Sequence, residues 1–261
     1  MTKVLCFANN KGGSGKSTTC SSVGYVLAGK GKKVLLVDAD GQMNLTLSCF
    51  SEEQALRFLE ENKHLYYGLS SQVSPETLIA PTDFENLHML PGSPALSQME
   101  GVLHGAYEKQ FVLRKYLERI KKENLYDYIL IDAPPALSEW TTNIMCASDG
   151  LIIPVEASPW GLFGLANMLE FYTNTLLYAP DLQLYGVLVT KADVRKNYFK
   201  QTMETLSALP DVRVFSTVIH VDSHVEWAQE NSRPVGAYAK SCRAAKEYVK
   251  LAKEIEEYAG W

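Results

Sequence analysis

The stretch Val4-Leu5-Cys6-Phe7-Ala8-Asn9-Asn10-Lys11-Gly12-Gly13-Ser14-Gly15-Lys16-Ser17-Thr18 decides the fold. An apolar run runs into a Gly-rich turn, and a helical pattern follows. At such a strand-to-helix turn the backbone N–H groups converge on phosphate oxygens. Gly12, Gly13, Ser14, Gly15, Lys16, Ser17 and Thr18 are therefore candidate nucleotide-binding residues. Lys16 supplies positive charge to the outer phosphates, and the Ser17 hydroxyl is a ligand for Mg²⁺. The usual pattern carries Gly five positions before its second Gly. Here Asn10 stands in that place, and a second lysine, Lys11, opens the loop. A GK[ST] tripeptide alone is a weak signal. The strand before it, the helix after it and acidic strand ends downstream make it specific.

Outward from this loop, apolar β-branched runs recur at Val4–Ala8, Val34–Val37, Leu87–Leu90, Tyr128–Ile131, Gly150–Val155, Leu184–Val189 and Val212–Val218. They are continuous rather than alternating, as expected for strands covered on both faces. Helical patterns lie between most of them: Ser17–Gly29 with Gly31 as C-cap, Tyr107–Asn124, Trp160–Tyr178, Lys196–Leu209 and Ser241–Tyr258. Ser51-Glu52-Glu53-Gln54 has the form of a capping box. This alternation predicts an α/β fold, a mostly parallel twisted sheet flanked by helices on both faces, with right-handed crossovers. No repeat or linker interrupts it, so residues 1–261 are expected to form a single domain. Ligands of such sheets bind beyond the carboxyl ends of the strands.

Two strands end there in aspartate. Asp38 and Asp40 follow Val34–Val37, and Asp132 follows Tyr128–Ile131, with Pro134 and Pro135 turning the chain away. A carboxylate emerging from a buried strand beside a phosphate loop suits a water-mediated Mg²⁺ contact, so Ser17, Asp38 and Asp132 are the candidate metal residues. Each aspartate is otherwise a cap for the turn after it. Asp40 lies in a loop that can approach a γ-phosphate and position the attacking water. Lys16 and Asp40 are candidate catalytic residues on this reading.

Composition bounds the rest. With 46% hydrophobic and 21% charged residues, the 261-residue chain has the make-up of a soluble globular protein. No run approaches the about 18 apolar residues that span a membrane. The first strand begins almost at once, which leaves no room for a signal peptide. Five cysteines without a CxxC pair read as reduced, buried thiols in a cytosolic protein. The five histidines show no ligand spacing. A net charge of −5 excludes a globally basic nucleic-acid binder but leaves room for a local basic patch.

In its motifs the chain resembles the ParA/Soj-type ATPases of the ParA/MinD superfamily, the deviant Walker A group of P-loop NTPases. The matching segments are KGGSGKST at 11–18, VLLVDADGQMNLT at 34–46, YDYILIDAPP at 126–135, SDGLIIPVEAS at 148–158 and VFSTVI at 214–219, followed by Pro234, Tyr238 and the C-terminal helix. The resemblance implies ATP/ADP and Mg²⁺ as cofactors and a weak ATPase that forms a homodimer on binding ATP. Lys11 would then reach the partner's phosphates, Lys16 and Ser17 would serve their own, Asp40 would be associated with hydrolysis and Asp132 would be the Walker B acid. It also implies stimulation by a ParB-like adaptor and partition of a plasmid or chromosome through non-specific DNA. The alternative in the same superfamily is a MinD-like ATPase, or one positioning a protein complex.

Particular residues bear on that choice. The Ser241–Tyr258 helix buries Ala245, Tyr248, Val249, Ala252 and Ile255 in this reading, and the acidic end at 256–261 lacks a basic amphipathic extension, which disfavours a membrane partner. The loop begins at residue 10, so no N-terminal helix-turn-helix extension is expected. Arg195, Lys196 and Lys200, near Lys191, form a candidate DNA-binding patch, with Asp193 the acid among them. The family's Ile-Pro-Arg segment is replaced by Ile219-His220-Val221, and a following arginine by His224, which removes two basic positions. Thr190, Asp193, His220 and Asp222 are the candidate base-side residues, with Thr190 where related NTPases carry a base-reading Asn. An iron–sulfur electron-transfer ATPase needs a cysteine pair, of which only Cys146 lies near a suitable loop. A nucleotide-holding scaffold needs neither Lys11 nor Asp40. The expected location is the cytoplasm, on the nucleoid if the patch binds DNA.

Overall fold

The continuous apolar runs become the middle of one sheet. In the computed structural model, which describes residues 1–210 and 212–258, the strands are β1 (Lys3–Phe7), β2 (Val34–Asp38), β3 (Ala80–Pro81), β4 (Leu87–Leu90), β5 (Tyr128–Asp132), β6 (Gly150–Glu156) and β7 (Gln183–Thr190). They form a seven-stranded sheet in the order β3-β4-β2-β5-β1-β6-β7. Every pairing is parallel except that of the two-residue edge strand β3 with β4.

Alternate residues of each central strand supply two different cores. Cys6, Val37, Ile131 and Ile153 pack into one hydrophobic cluster, while Phe7, Leu36, Leu130 and Ile152 pack into the other. A strand filled on both faces must be apolar at every position, which is why these runs lack alternation. Each fully buried aliphatic side chain contributes about 1.5–3 kcal/mol to the fold.

The helices are α1 (Lys16–Gly29), α2 (Asn44–Leu47), α3 (Glu52–Glu60), α4 (Leu65–Ser71), α5 (Met99–His104), α6 (Val112–Lys122), α7 (Glu139–Cys146), α8 (Pro159–Thr175), α9 (Asn197–Ser207), α10 (Ser223–Glu230), α11 (Val235–Tyr238) and α12 (Arg243–Tyr258). Leu103, Leu117, Ile144 and Met168 bring α5 to α8 onto the first face. Val23, Leu45 and Leu251 bring α1, α2 and α12 onto the second. The Ser51 capping box forms as expected, with Gln54 returning the bond to the Ser51 N–H. Gly31 takes a left-handed φ of 85° just past α1. All five cysteines are free and buried.

Two expectations are corrected. Val212–Val218 is not a strand. It runs beside β7 through isolated bridges at Val187–Val214 and Ala192–His220. Between them the N–H groups of Ser216 and Thr217 turn to the Glu254 carboxylate of α12, each at 2.8 Å, and the ladder is broken. In α12, Val249 is 49% exposed, whereas Leu251 is fully buried, so the apolar stripe is rotated from the expected one. Of the acidic end, residues 259–261 lie outside the described residues. Among the described residues no helix is long and apolar enough to cross a membrane.

Candidate functional site

The strand register sets the site. Phe7 pairs with Asp132 and Asp38 pairs with Asp132, so the ends of β1, β5 and β2 stand level with one another. The loop leaving β1, the acid ending β5 and the acids following β2 therefore open into one crevice.

The loop between β1 and α1 is held from below. The Asn9 amide donates to the Pro154 carbonyl at 2.6 Å, and its Oδ1 accepts from the Lys11 N–H at 3.1 Å. Gly13 and Gly15 adopt φ of 73° and 87°. A Cβ on Gly15 would also stand 3.6 Å from the Thr190 side chain, whose hydroxyl donates to the Ser14 carbonyl at 2.8 Å. The start of α1 has neither a side-chain cap nor an acidic residue in its first turn. That leaves the positive end of the helix facing outward over the loop, the arrangement that receives phosphate.

Lys16 is 6% exposed. Burial pulls its pKa down, and the charges of Asp132 and Asp40 oppose that. Asp132 is fully buried and neither carboxylate oxygen has a well-formed hydrogen bond. Burial and the Asp38 charge push it well above the usual carboxylate range, while the Ser17 hydroxyl beside it and Lys16 act in the other direction. A buried carboxylate with both oxygens unpartnered, next to a serine hydroxyl and a phosphate-binding loop, fits a divalent cation and its water shell.

Asp38 is engaged differently. Its oxygens accept from the Thr46 N–H at 2.7 Å, the Thr46 hydroxyl at 2.6 Å and the Asp40 N–H at 3.2 Å. Gly92 closes over it, where a Cβ would come within 2.8 Å of the carboxyl carbon. The structure thus spends the Asp38 carboxylate on fixing the turn that carries Asp40. Asp40 itself is 6% exposed and accepts from the Gln42 N–H at 3.1 Å. Burial raises its pKa, opposed by the Gln42 N–H and by Lys16. The indole of Trp140, on α7, donates to the carbonyl of Ala39 between the two acids at 2.9 Å.

This cluster sets a pH dependence. Burial raises Asp38 to about 6 from an ordinary carboxylate value. The folded state therefore binds more protons than the unfolded chain between those values, so this contribution is full below the unfolded pKa and is lost as pH rises through about 6. Nucleotide-free protein is expected to lose about 1 kcal/mol of stability from this group between pH 5 and 7. Urea denaturation at both pH values measures it, and Asp38→Asn should reduce the difference by about that amount. An unchanged drop in the variant would mean another group carries it.

Lys11 points elsewhere. Its Nζ lies 2.6 Å from Glu156 Oε2 and 3.2 Å from Ser158 Oγ, at the end of β6 and the N-cap of α8. Its side chain keeps 28% exposure. α8 backs closely onto the loop, since a Cβ on Gly164 would stand 3.1 Å from Asn10 Oδ1. Glu156 and Ser158 were not singled out as partners of Lys11 in the sequence, although β6 is a third strand ending in an acid. Lys191 also lies nearer the Gly-rich loop than its place beside the basic patch suggests. Its backbone is left-handed at φ 50°, and its Nζ lies 3.9 Å from where a Gly13 Cβ would be.

On the base side, the Ala192–His220 bridge joins the Thr190–Asp193 segment to the His220–Asp222 segment. The His220 ring is 2.8 Å from Glu247 Oε1. Asp193 is gripped by Arg195 at 2.8 and 2.9 Å, which draws its pKa down to about 2. Asp222 caps α10 through the His224 N–H at 3.0 Å. Thr18 accepts from Gln229 at 2.9 Å, which ties α10 over the start of α1. The outward patch holds Arg195, 86% exposed on its side chain, and Lys200, which lies 3.8 Å from Glu204.

A Gly-rich loop feeding an uncapped helix, a buried lysine and a bare strand-end carboxylate define a P-loop nucleotide-binding protein. The AAA domain family profile matches residues 2–184. The chain is 34% identical to the sporulation initiation inhibitor protein Soj of Bacillus subtilis over 98% of each chain. It is 31% identical to the chromosome partitioning protein ParA of Caulobacter vibrioides over 97% of this chain and 93% of that one. The crystal structure of cobyrinic acid a,c-diamide synthase from Mycobacterium smegmatis, with bound ATP analog and magnesium, superposes with a TM-score of 0.83 at 26% identity, covering 97% and 93% of the two chains. The chain belongs to the ParA/Soj partition ATPases of the ParA/MinD superfamily of P-loop proteins.

Proposed function

We propose that the protein is an ATP-driven dimerisation switch that partitions a DNA cargo from the cytoplasm, on the nucleoid. The observation that carries this reading is the division of labour between two lysines of one loop. Lys16 is buried with the acids of its own crevice, while Lys11 lies at the rim on Glu156, outside its own cradle. A rim lysine is positioned to serve phosphates brought by a second copy. Trp160 and Phe163, 75% and 65% exposed on the adjoining helix, form the apolar surface such a copy would cover.

In this reading the N–H groups of the Gly12–Thr18 loop and Lys16 hold the phosphates of ATP. Ser17 and Asp132 hold Mg²⁺, which neutralises phosphate charge when bound. Asp40 orients the attacking water, and Lys11 of the second copy stabilises the charge that develops on the transferred group. The 190–193 and 220–222 segments border the base. Hydrolysis then waits for assembly, and a ParB-like adaptor accelerates it.

The DNA step rests on Arg195, Lys196 and Lys200. Sedimentation with DNA should require ATP, and its log–log dependence on salt should have a slope of about −0.9 for each phosphate contacted. Arg195→Glu with Lys196→Glu should reduce retention at least tenfold. Unchanged retention removes this patch, and pelleting with anionic liposomes instead of DNA replaces the reading with a MinD-like one.

A further inference from the structure

The first turns of α10 and α12 meet on one carboxylate. Asp222 Oδ1 accepts from the His224 N–H at 3.0 Å and lies 2.7 Å from His224 Nδ1. Its Oδ2 accepts from the Ala244 N–H at 3.0 Å. The buried thiol of Cys242, two residues before Ala244, lies beside this group, and its Sγ accepts from the Ala245 N–H at 3.3 Å. One donor atom from each of Asp222, His224 and Cys242 lies within 4.8 Å of the other two, a grouping of metal-ligating atoms found nowhere else among the described residues.

These donors are an oxygen, an imidazole nitrogen and a sulfur. A tetrahedral Zn²⁺ with bonds of about 2.0–2.3 Å sets its ligands about 3.5 Å apart, so the present spacing needs only side-chain adjustment. The hydrogen bonding shows how an ion would enter. Two of the contacts on Asp222 come from fixed backbone N–H groups and a third from the His224 ring, which, like the Cys242 thiol beside it, can give up a proton to a metal. An ion can take the place of the side-chain protons while both backbone bonds remain. The His224 ring is 40% exposed on its side chain, which supplies both an entry path and a fourth, solvent-facing position. Its edge-on contact with Trp227, at 5.2 Å between ring centroids, holds the imidazole toward Asp222.

We propose that Asp222, His224 and Cys242 bind one Zn²⁺-class ion that staples the start of α10 to the start of α12. On binding, the Cys242 thiol releases its proton to solvent and the sulfur coordinates as thiolate. The His224 ring coordinates in its neutral form. The donor set is too soft for Mg²⁺, which takes oxygen ligands, so this site is separate in place and chemistry from Ser17 and Asp132.

Co²⁺ serves as the probe. Chelator-treated full-length protein, titrated with Co²⁺ in excess Mg²⁺, should take up one ion per chain. It should show a thiolate-to-metal charge-transfer band and strong tetrahedral visible bands, and Zn²⁺ should displace both. Cys242→Ser keeps a hydroxyl in place of the thiol and should lose the charge-transfer band. His224→Gln should weaken binding at least tenfold while leaving the thiolate band at saturation. Circular dichroism of both variants separates loss of the site from loss of the fold. No thiolate band in the wild-type protein, or a band that survives in folded Cys242→Ser, overturns the proposal.

Discussion

Lys11→Ala is expected to lower ATP turnover by about 10³–10⁵-fold, the range associated with a cation supplied in trans to phosphoryl transfer. The variant should also fail to dimerise on ATP. Its own loop loses nothing that holds nucleotide: Lys16 Nζ reaches the Lys11 backbone carbonyl at 3.4 Å, which alanine retains. Among the described residues the Lys11 ammonium is engaged with Glu156 and Ser158. Nucleotide affinity of the monomer should therefore stay within a few-fold of wild type. Phosphate release, ATP-dependent sedimentation and fluorescent-nucleotide binding test the three parts together. Normal turnover by the variant would show that Lys11 is a surface lysine and would remove the case for assembly-coupled hydrolysis.

Asp40→Ala should separate assembly from hydrolysis. The Asp40 carboxylate accepts one backbone N–H, from Gln42, and otherwise faces Lys16 across the crevice. Its removal leaves the loop, Lys16 and Asp132 in place. A water-positioning group contributes about 10²–10⁴-fold to turnover, so the variant should bind ATP, form the dimer and hydrolyse slower by that factor. Single-turnover hydrolysis beside size-exclusion chromatography with ATP measures both. Equal loss of dimer and activity would place Asp40 in structure, like Asp38.

The contrast between these two acids marks what could be read from the chain and what could not. The positions of the loop, Lys16 and Asp132 at one end of the sheet were legible because their signals are local: an apolar run, closely spaced glycines and an acid at a strand end. Asp38 and Asp40 look alike in sequence. Only the turn that brings Thr46 back onto Asp38 tells them apart. The rim position of Lys11 depends on Glu156, 145 residues away, and on β6 lying beside β1. Strand order is a global property, and nothing near Lys11 announces its partner. Val212–Val218 has strand composition, yet Glu254 of α12 draws away two of its N–H groups. The cluster at Asp222, His224 and Cys242 escaped for the same reason, since Cys242 comes from the distant segment that leads into α12.

The bond from Trp140 to the Ala39 carbonyl makes the chemistry visible from outside. Ala39 links Asp38, which is fixed by Thr46, to Asp40, which faces Lys16, so any shift of Asp40 must stretch or reorient a contact to a buried indole. Among the four tryptophans of the chain, Trp140 thus sits as an optical reporter one hydrogen bond away from the backbone that carries Asp40.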